Sequence, residues 1–309
     1  MNRSLGRYIV KSLLQVIPVL LIVSLIVFVL VRVTGDPVAL MLPETATAED
    51  RAVLTQALGL DQPLHVQYVK FLGDALQGDF GQSFRYGEPA LRLVLERLPA
   101  SFELAAAAMV LAVIMAIPLG IISAVKRNTY TDLLISMLSV IGKAMPNFWV
   151  GIMLILLLSV MWGVLPVSGR GGVSHLILPA FTLGFGLAAQ MTRLLRSSML
   201  EILNQDYIRM ARSKGLSNFV IIMRHAFRNG LVPLITIISL QFTSLIGGTL
   251  ITETVFSWPG LGQLLVVAVN THDMAIVQAA VFVIALIVVL TNILTDVIYR
   301  LLDPRIKFN

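Results

Sequence analysis

The chain has 309 residues, of which 57% are hydrophobic and 13% charged, with a net charge of +6 and no cysteine. Soluble domains carry about a quarter charged residues, so one water-soluble core is excluded and lipid becomes the solvent for much of this surface. The missing cysteines exclude disulfide frameworks, thiolate metal sites and cysteine nucleophiles. The basic excess falls beside apolar runs rather than in a patch, which argues for membrane orientation over nucleic-acid binding.

Arg3, Arg7 and Lys11 precede an apolar run from Val16 to Val31. Counted from Ile9, the run is too long for a signal-peptide core, and no small-x-small cleavage pattern follows, so an uncleaved first span is expected. Crossing a hydrocarbon core of ~30 Å takes about 20 helical residues, and about six segments qualify: 9–31, 101–124, 133–162, 176–192, 231–251 and 277–301. The chain is thus divided into a membrane helix at 1–32, an external region at 33–96, a five-helix core at 97–302 and a tail at 303–309. The fold class expected is all-α integral membrane.

Within the external region, Gly59 to Pro63 reads as a helix stop and restart. Glu88-Pro89 opens a segment whose Leu91, Val94, Leu95 and Leu98 share a helical face, predicting a short amphipathic helix on the outer surface. The 133–162 run is interrupted by Pro146 and Asn147. Splitting it leaves two pieces too short to span, so one Pro-kinked helix is expected. Pro18, Pro118, Pro179 and Pro233 interrupt other spans, and Gly184/Gly186 and Gly247/Gly248 form pairs. Ordinary kinking and close packing is one reading of these residues; helices bending around a moving pathway is the other.

Lys143, Gln190, Gln241, Asn292 and Asp296 are polar groups inside apolar stretches. Lys143 lies roughly 15 Å beyond the cytoplasmic start of its helix at ~1.5 Å per residue. Two readings stand for it: a pathway or subunit-interface residue, and a snorkelling side chain. Phe256-Ser257-Trp258-Pro259-Gly260-Leu261-Gly262 is a tight apolar turn. Trp258 alone reads as an interfacial anchor; Phe256, Trp258 and Pro259 together read as an outer gate.

Loop charge assigns sides. The N-terminus, the 125–132 loop with Lys126 and Arg127, the 193–230 loop and the C-terminus are all basic. The 32–100 loop is net acidic. The positive-inside rule places both termini and the 193–230 loop in the cytoplasm. In that loop, Leu216, Phe219, Val220 and Met223 follow Gly215 at i, i+3, i+4 and i+7, predicting a short amphipathic helix flanked by Lys214, Arg224 and Arg228. Such a helix lies on an anionic membrane or inserts into a partner's groove.

The run Asp206-Tyr207-Ile208-Arg209-Met210-Ala211-Arg212-Ser213-Lys214-Gly215-Leu216, followed by His225-Ala226-Phe227-Arg228-Asn229 and Pro233, closely resembles the signature of type I ABC importer permeases. Ala211 and Gly215 match the alanine and glycine of that family's cytoplasmic loop. Arg209-Met210 stands where the general form has Glu-Ala, which is similar to the dipeptide/oligopeptide/nickel branch. Gly35-Asp36-Pro37, Leu58-Gly59-Leu60-Asp61-Gln62-Pro63, Gly78-Asp79-Phe80-Gly81, Arg196-Ser197-Ser198-Met199 and the Phe256–Gly262 turn also look like that branch.

The resemblance implies a multi-pass protein of a bacterial or archaeal cytoplasmic membrane. It implies half of a pathway shared with a second permease, two cytoplasmic ATPases that bind ATP and Mg, and an external solute-binding protein. The implied ATPase contact comprises Arg209, Ala211, Lys214, Gly215, Leu216, Phe219, Val220, Met223 and His225. The substrates implied are di- and oligopeptides or related solutes. No phosphate-binding Gly-x-x-x-x-Gly-Lys-[Ser/Thr] loop, metal-ligand cluster or nucleophile motif occurs in the sequence, so no catalysis, cofactor or metal is expected of this chain. A stand-alone secondary transporter or channel is the alternative, but the spans show no convincing carboxylate pair for a coupling ion.

Overall fold

The computed structural model describes residues 2–34, 38, 42, 45–57 and 59–302. The Gly35-Asp36-Pro37 motif, Leu58 and the 303–309 tail lie outside the described residues. The elements in chain order are α1 (Asn2–Thr34), α2 (Ala48–Ala57), α3 (Leu64–Leu76) and α4 (Ala90–Val125). Then come α5 (Tyr130–Ala144) and α6 (Asn147–Met161), followed by α7 (Val173–Leu203) and α8 (Asp206–Ser213). The remainder is α9 (Asn218–Leu245), α10 (Leu250–Val255), α11 (Leu261–Asn270) and α12 (Met274–Leu302). This is an all-α membrane fold. Among the described residues four helices are long and apolar enough to cross a membrane, or up to five if the bent pair α5–α6 is one span. The 33-residue α1 adds the apolar stretch Val16–Val31.

Two compact units divide the chain: residues 1–100 with 259–293, and residues 101–258 with 294–307. In the first, Phe80, Leu93, Val94, Leu264 and Ile276 anchor a buried cluster. There the Tyr68 hydroxyl of α3 bonds Ser24 at 2.9 Å and donates to the Leu21 carbonyl of α1 at 3.1 Å. Gly59 turns the chain at φ +66 and Pro63 precedes α3, so local backbone chemistry sets both ends of this break.

In the second unit, small residues bring helices close, as they do in lipid where packing replaces the hydrophobic drive. Gly184 of α7 is such a contact: a methyl there would lie 2.8 Å from the Ala108 carbonyl oxygen of α4. A Gly184→Ala variant is expected to lose about 1–3 kcal/mol through overpacking. Gly247→Ala, with nothing within 4 Å of the added methyl, is the matched control and should be neutral or slightly stabilising. Thermal unfolding of the two purified variants in one detergent checks this.

Four expectations change. The helix foreseen after Glu88-Pro89 is not a separate surface element: it is the first turns of the 36-residue α4, and it buries Ala90, Leu93 and Val94 while Leu95 is exposed. The 133–162 run is not one kinked helix, because α5 and α6 meet at 106°. The fourth span runs far past 192, to Leu203, so Arg193 and Arg196 sit on helix rather than loop. The helix after Gly215 is not short either, since α9 continues from Asn218 into the next span, with π-helical turns at Ile221–Phe227.

Pro146 breaks its helix whereas Pro18, Pro179 and Pro233 stay inside theirs. Proline pushes its predecessor toward extended backbone, and Met145 obeys with φ −76 and ψ 132. The freed backbone groups are tolerated at membrane depth where the break lines a cavity.

Candidate functional site

Two sites emerge, both within residues 101–258. The first is at the α5–α6 break. Lys143, Gln190 and Gln241, one polar residue from each of three helices, converge there. The Lys143 ammonium donates to the Gln190 side-chain oxygen at 3.2 Å, and the Gln241 amide donates to the same oxygen at 3.0 Å. The cluster borders a cavity of about 220 Å³, also lined by Asn147, Ser244 and the glycines 142, 186 and 248. Any Cβ at Gly142 would press on Ala189 and Phe185 at 3.1 Å, so glycine lets α7 approach the end of α5. Asn292 and Asp296 do not line this cavity.

Phe256 and Trp258 belong to the same unit, and both are buried. Trp258 is fully enclosed, which rules out the interfacial-anchor reading for it. The Arg170 guanidinium lies 5.8 Å from its ring centre and also binds the Glu103 carboxylate. The Phe256 ring packs on Gly151 of α6, where a Cβ would come within 3.0 Å of it. The Phe256 carbonyl accepts from Gly169 N–H at 2.8 Å. Glu253, fully buried, accepts from Ser101 at 2.7 Å and Thr249 at 2.9 Å. The Phe256 end of the turn is therefore held against the second half of the broken helix. Pro259, half-buried, begins the stretch assigned to the other unit.

The second site is the segment from α8 into α9. In α8, Ile208 and Ala211 are buried and pack toward the Ile221–Phe227 turns, where Ile221 and Ala226 are buried in turn. Ala211 is buried, so a small side chain suits the position. Gly215 has φ +73 and donates its N–H to the Arg212 carbonyl at 2.9 Å, a left-handed helix stop that suits glycine. The Ser217 hydroxyl then caps α9 by accepting from Val220 N–H. Asn229 donates to the Tyr207 hydroxyl at 2.9 Å and to the His225 carbonyl at 3.0 Å, bracing α8 on α9.

Against this scaffold an apolar row faces outward: Leu216 is 40% exposed, Phe219 73% and Met223 39%. Leu216 lies in the turn rather than on the helix, and Val220 is half-buried, so the sequence stripe splits. Arg209 and Lys214 are exposed beside the row, and His225 is half-buried.

Sequence reasoning missed a third cluster. The Asp132 carboxylate takes two parallel bonds from Arg196, at 2.7 and 2.8 Å, plus one from Ser123 Oγ and one from Asn128 N–H at 3.0 Å. A lone acidic residue in a basic loop was the available signal.

Comparison with known proteins agrees with this architecture. Residues 116–308 match the family described as binding-protein-dependent transport system inner membrane component, and residues 5–105 match its N-terminal companion. An oligopeptide transport system permease protein, AppB of Bacillus subtilis, is 40% identical over 98% of this chain and 100% of its own length. The glutathione transport system permease protein GsiC of Escherichia coli K12 is 40% identical over 98% of this chain and 99% of its own. Among solved structures, two inward-facing crystal forms of the MetNI methionine ABC transporter align at TM-scores of 0.56 and 0.57. They are 17% and 18% identical and cover 68% of this chain and 96% of theirs, a likeness of fold.

The chain belongs to the binding-protein-dependent transport system inner membrane components, a family of membrane permease components rather than catalytic enzymes. Its place in such a system is that of the permease subunit of an ABC importer.

Proposed function

We propose that this chain pairs with a second, homologous permease to form the pathway of an importer for di- and oligopeptides or a related small solute such as glutathione. Two separate ATPase subunits bind ATP and Mg and drive it, and a solute-binding protein outside the membrane delivers the substrate. Both termini and the 193–230 segment face the cytoplasm, as the basic residues of those regions favour.

One observation carries the coupling part: Leu216, Phe219 and Met223 stand exposed on a braced helix pair held together by the buried Ile208, Ala211, Ile221 and Ala226. An exposed apolar row rimmed by Arg209, Lys214 and Arg224 fits a groove on a partner, and a braced helix transmits a rigid-body movement. The same segment carries the residues that resemble the family's ATPase-contact loop. Phe256 and Trp258 form an outer closure against α6, and Lys143 lies in the pathway.

The experiment is uptake of labelled trialanine and of glutathione by proteoliposomes holding the full transporter. ATP-dependent, binding-protein-dependent uptake of either is expected, and the purified chain alone is expected to hydrolyse no ATP. Magnesium-dependent turnover by the chain alone, or uptake without the ATPases, overturns the reading.

A further inference from the structure

We infer that the Lys143–Gln190–Gln241 cluster is a transit site for the free carboxylate end of the substrate. The inference rests on the peptide reading above and adds the chemistry that recognises the peptide.

The cluster is rich in donors. Lys143 has three N–H groups and each glutamine amide two, while the Gln190 oxygen is already taken by two of them. The remaining N–H groups outnumber the acceptors in the cluster, so an anionic acceptor completes it. Among the described residues no carboxylate pairs with Lys143. Lys143 is exposed, and a cation without a counter-charge in an apolar stretch pairs or faces a water-filled cavity. Here a cavity adjoins it, opened by the break at Pro146 and floored by Gly142 and Gly186.

Size points the same way. About 220 Å³ is below the ~300–1,000 Å³ of sites that enclose a whole drug-sized ligand. It suits one residue-sized end of a chain. A carboxylate end is common to di- and oligopeptides and to glutathione, whatever their side chains. Ser244 and Asn147, also on the wall, add hydrogen-bonding groups that are indifferent to sequence.

The test uses the complete transporter with its binding protein, in proteoliposomes, and two probes: trialanine and trialanine amide. For Lys143→Gln, uptake of the free acid is expected to fall about tenfold relative to wild type, from loss of one charge-assisted hydrogen bond. Uptake of the amide is expected to change less than about twofold, so the acid-to-amide preference collapses. Lys143→Arg keeps the charge and should retain most of the preference.

Three outcomes overturn the inference. An unchanged acid-to-amide ratio in Lys143→Gln removes carboxylate recognition while leaving peptide transport intact. Equal loss for both probes, with the second permease co-purifying poorly, assigns Lys143 to a carboxylate of the neighbouring subunit. Import of neither probe by the wild-type transporter defeats the peptide reading itself, and the carboxylate site with it.

Discussion

Replacing Leu216 and Phe219 together with aspartate is expected to abolish substrate uptake and ATPase association while leaving the chain inserted and folded. Phe219 is 73% exposed and Leu216 40%, so neither side chain holds the fold, and exposed substitutions cost within about 0.5 kcal/mol. Anchors in a docked groove are different, since each such residue contributes ~2 kcal/mol or more when truncated. Losing two would weaken docking by about a thousandfold, and a carboxylate brought into an apolar groove adds a desolvation cost. The neighbouring Ile221 provides the contrast, because it is buried where α8 packs on α9. Ile221→Asp should damage folding itself, with low membrane yield and early thermal unfolding. Pull-down of the ATPases on the tagged chain, beside membrane yield, separates the two patterns. Full ATPase recovery and normal uptake in the Leu216→Asp/Phe219→Asp variant would sink the coupling assignment.

What the sequence revealed about this region, and what it hid, follows from range. Gly215 was readable because a left-handed turn is decided by one residue's backbone. The same holds for Gly59, while Pro63 marks the restart through its own fixed φ of −57. Helix ends were not readable from hydropathy. α4 begins at Ala90 and α7 runs on to Leu203, because apolarity stops where water begins and backbone hydrogen bonding does not. The Pro146 break was visible as a residue but was read as a kink, since the arithmetic of span length weighed against two short pieces. The cavity beside the break is formed only where α5, α6, α7 and α9 pack together.

The site residues divide in the same way. Lys143, Gln190 and Gln241 each stood out as polar groups in apolar runs, yet nothing in their spacing said that they meet. Trp258 was ambiguous between an interfacial anchor and part of an outer gate, and its complete burial removes the first. Leu216 to Met223 was legible as a stripe. Its division into exposed and half-buried residues depends on α8, which folds back against it.

Asp132 and Arg196, 64 residues apart, form the largest structural feature that a single-sequence reading passed over, and their disruption carries the second large expected effect. Asp132→Asn should destabilise the protein by about 3 kcal/mol, the lower end of ~3–5 kcal/mol for breaking a buried pair, because Arg196 retains 29% exposure. The damage comes less from lost attraction than from a guanidinium left without its counter-charge. The carboxylate also accepts from Ser123 at the end of α4 and from the Asn128 backbone, so one residue ties two helix ends and a turn to α7. Arg196→Lys keeps the charge but gives up the two-pronged geometry, and should fall between the wild type and Asp132→Asn. Pairing Asp132→Asn with Arg196→Gln removes both charges and should recover more than half of the loss. A double-mutant cycle on unfolding in detergent measures this as a coupling of about 2 kcal/mol or more. A coupling near zero would mean that water already satisfies both groups. The close packing of α5 on α7, with Gly142 against Ala189, would then have to hold these helices without the ion pair.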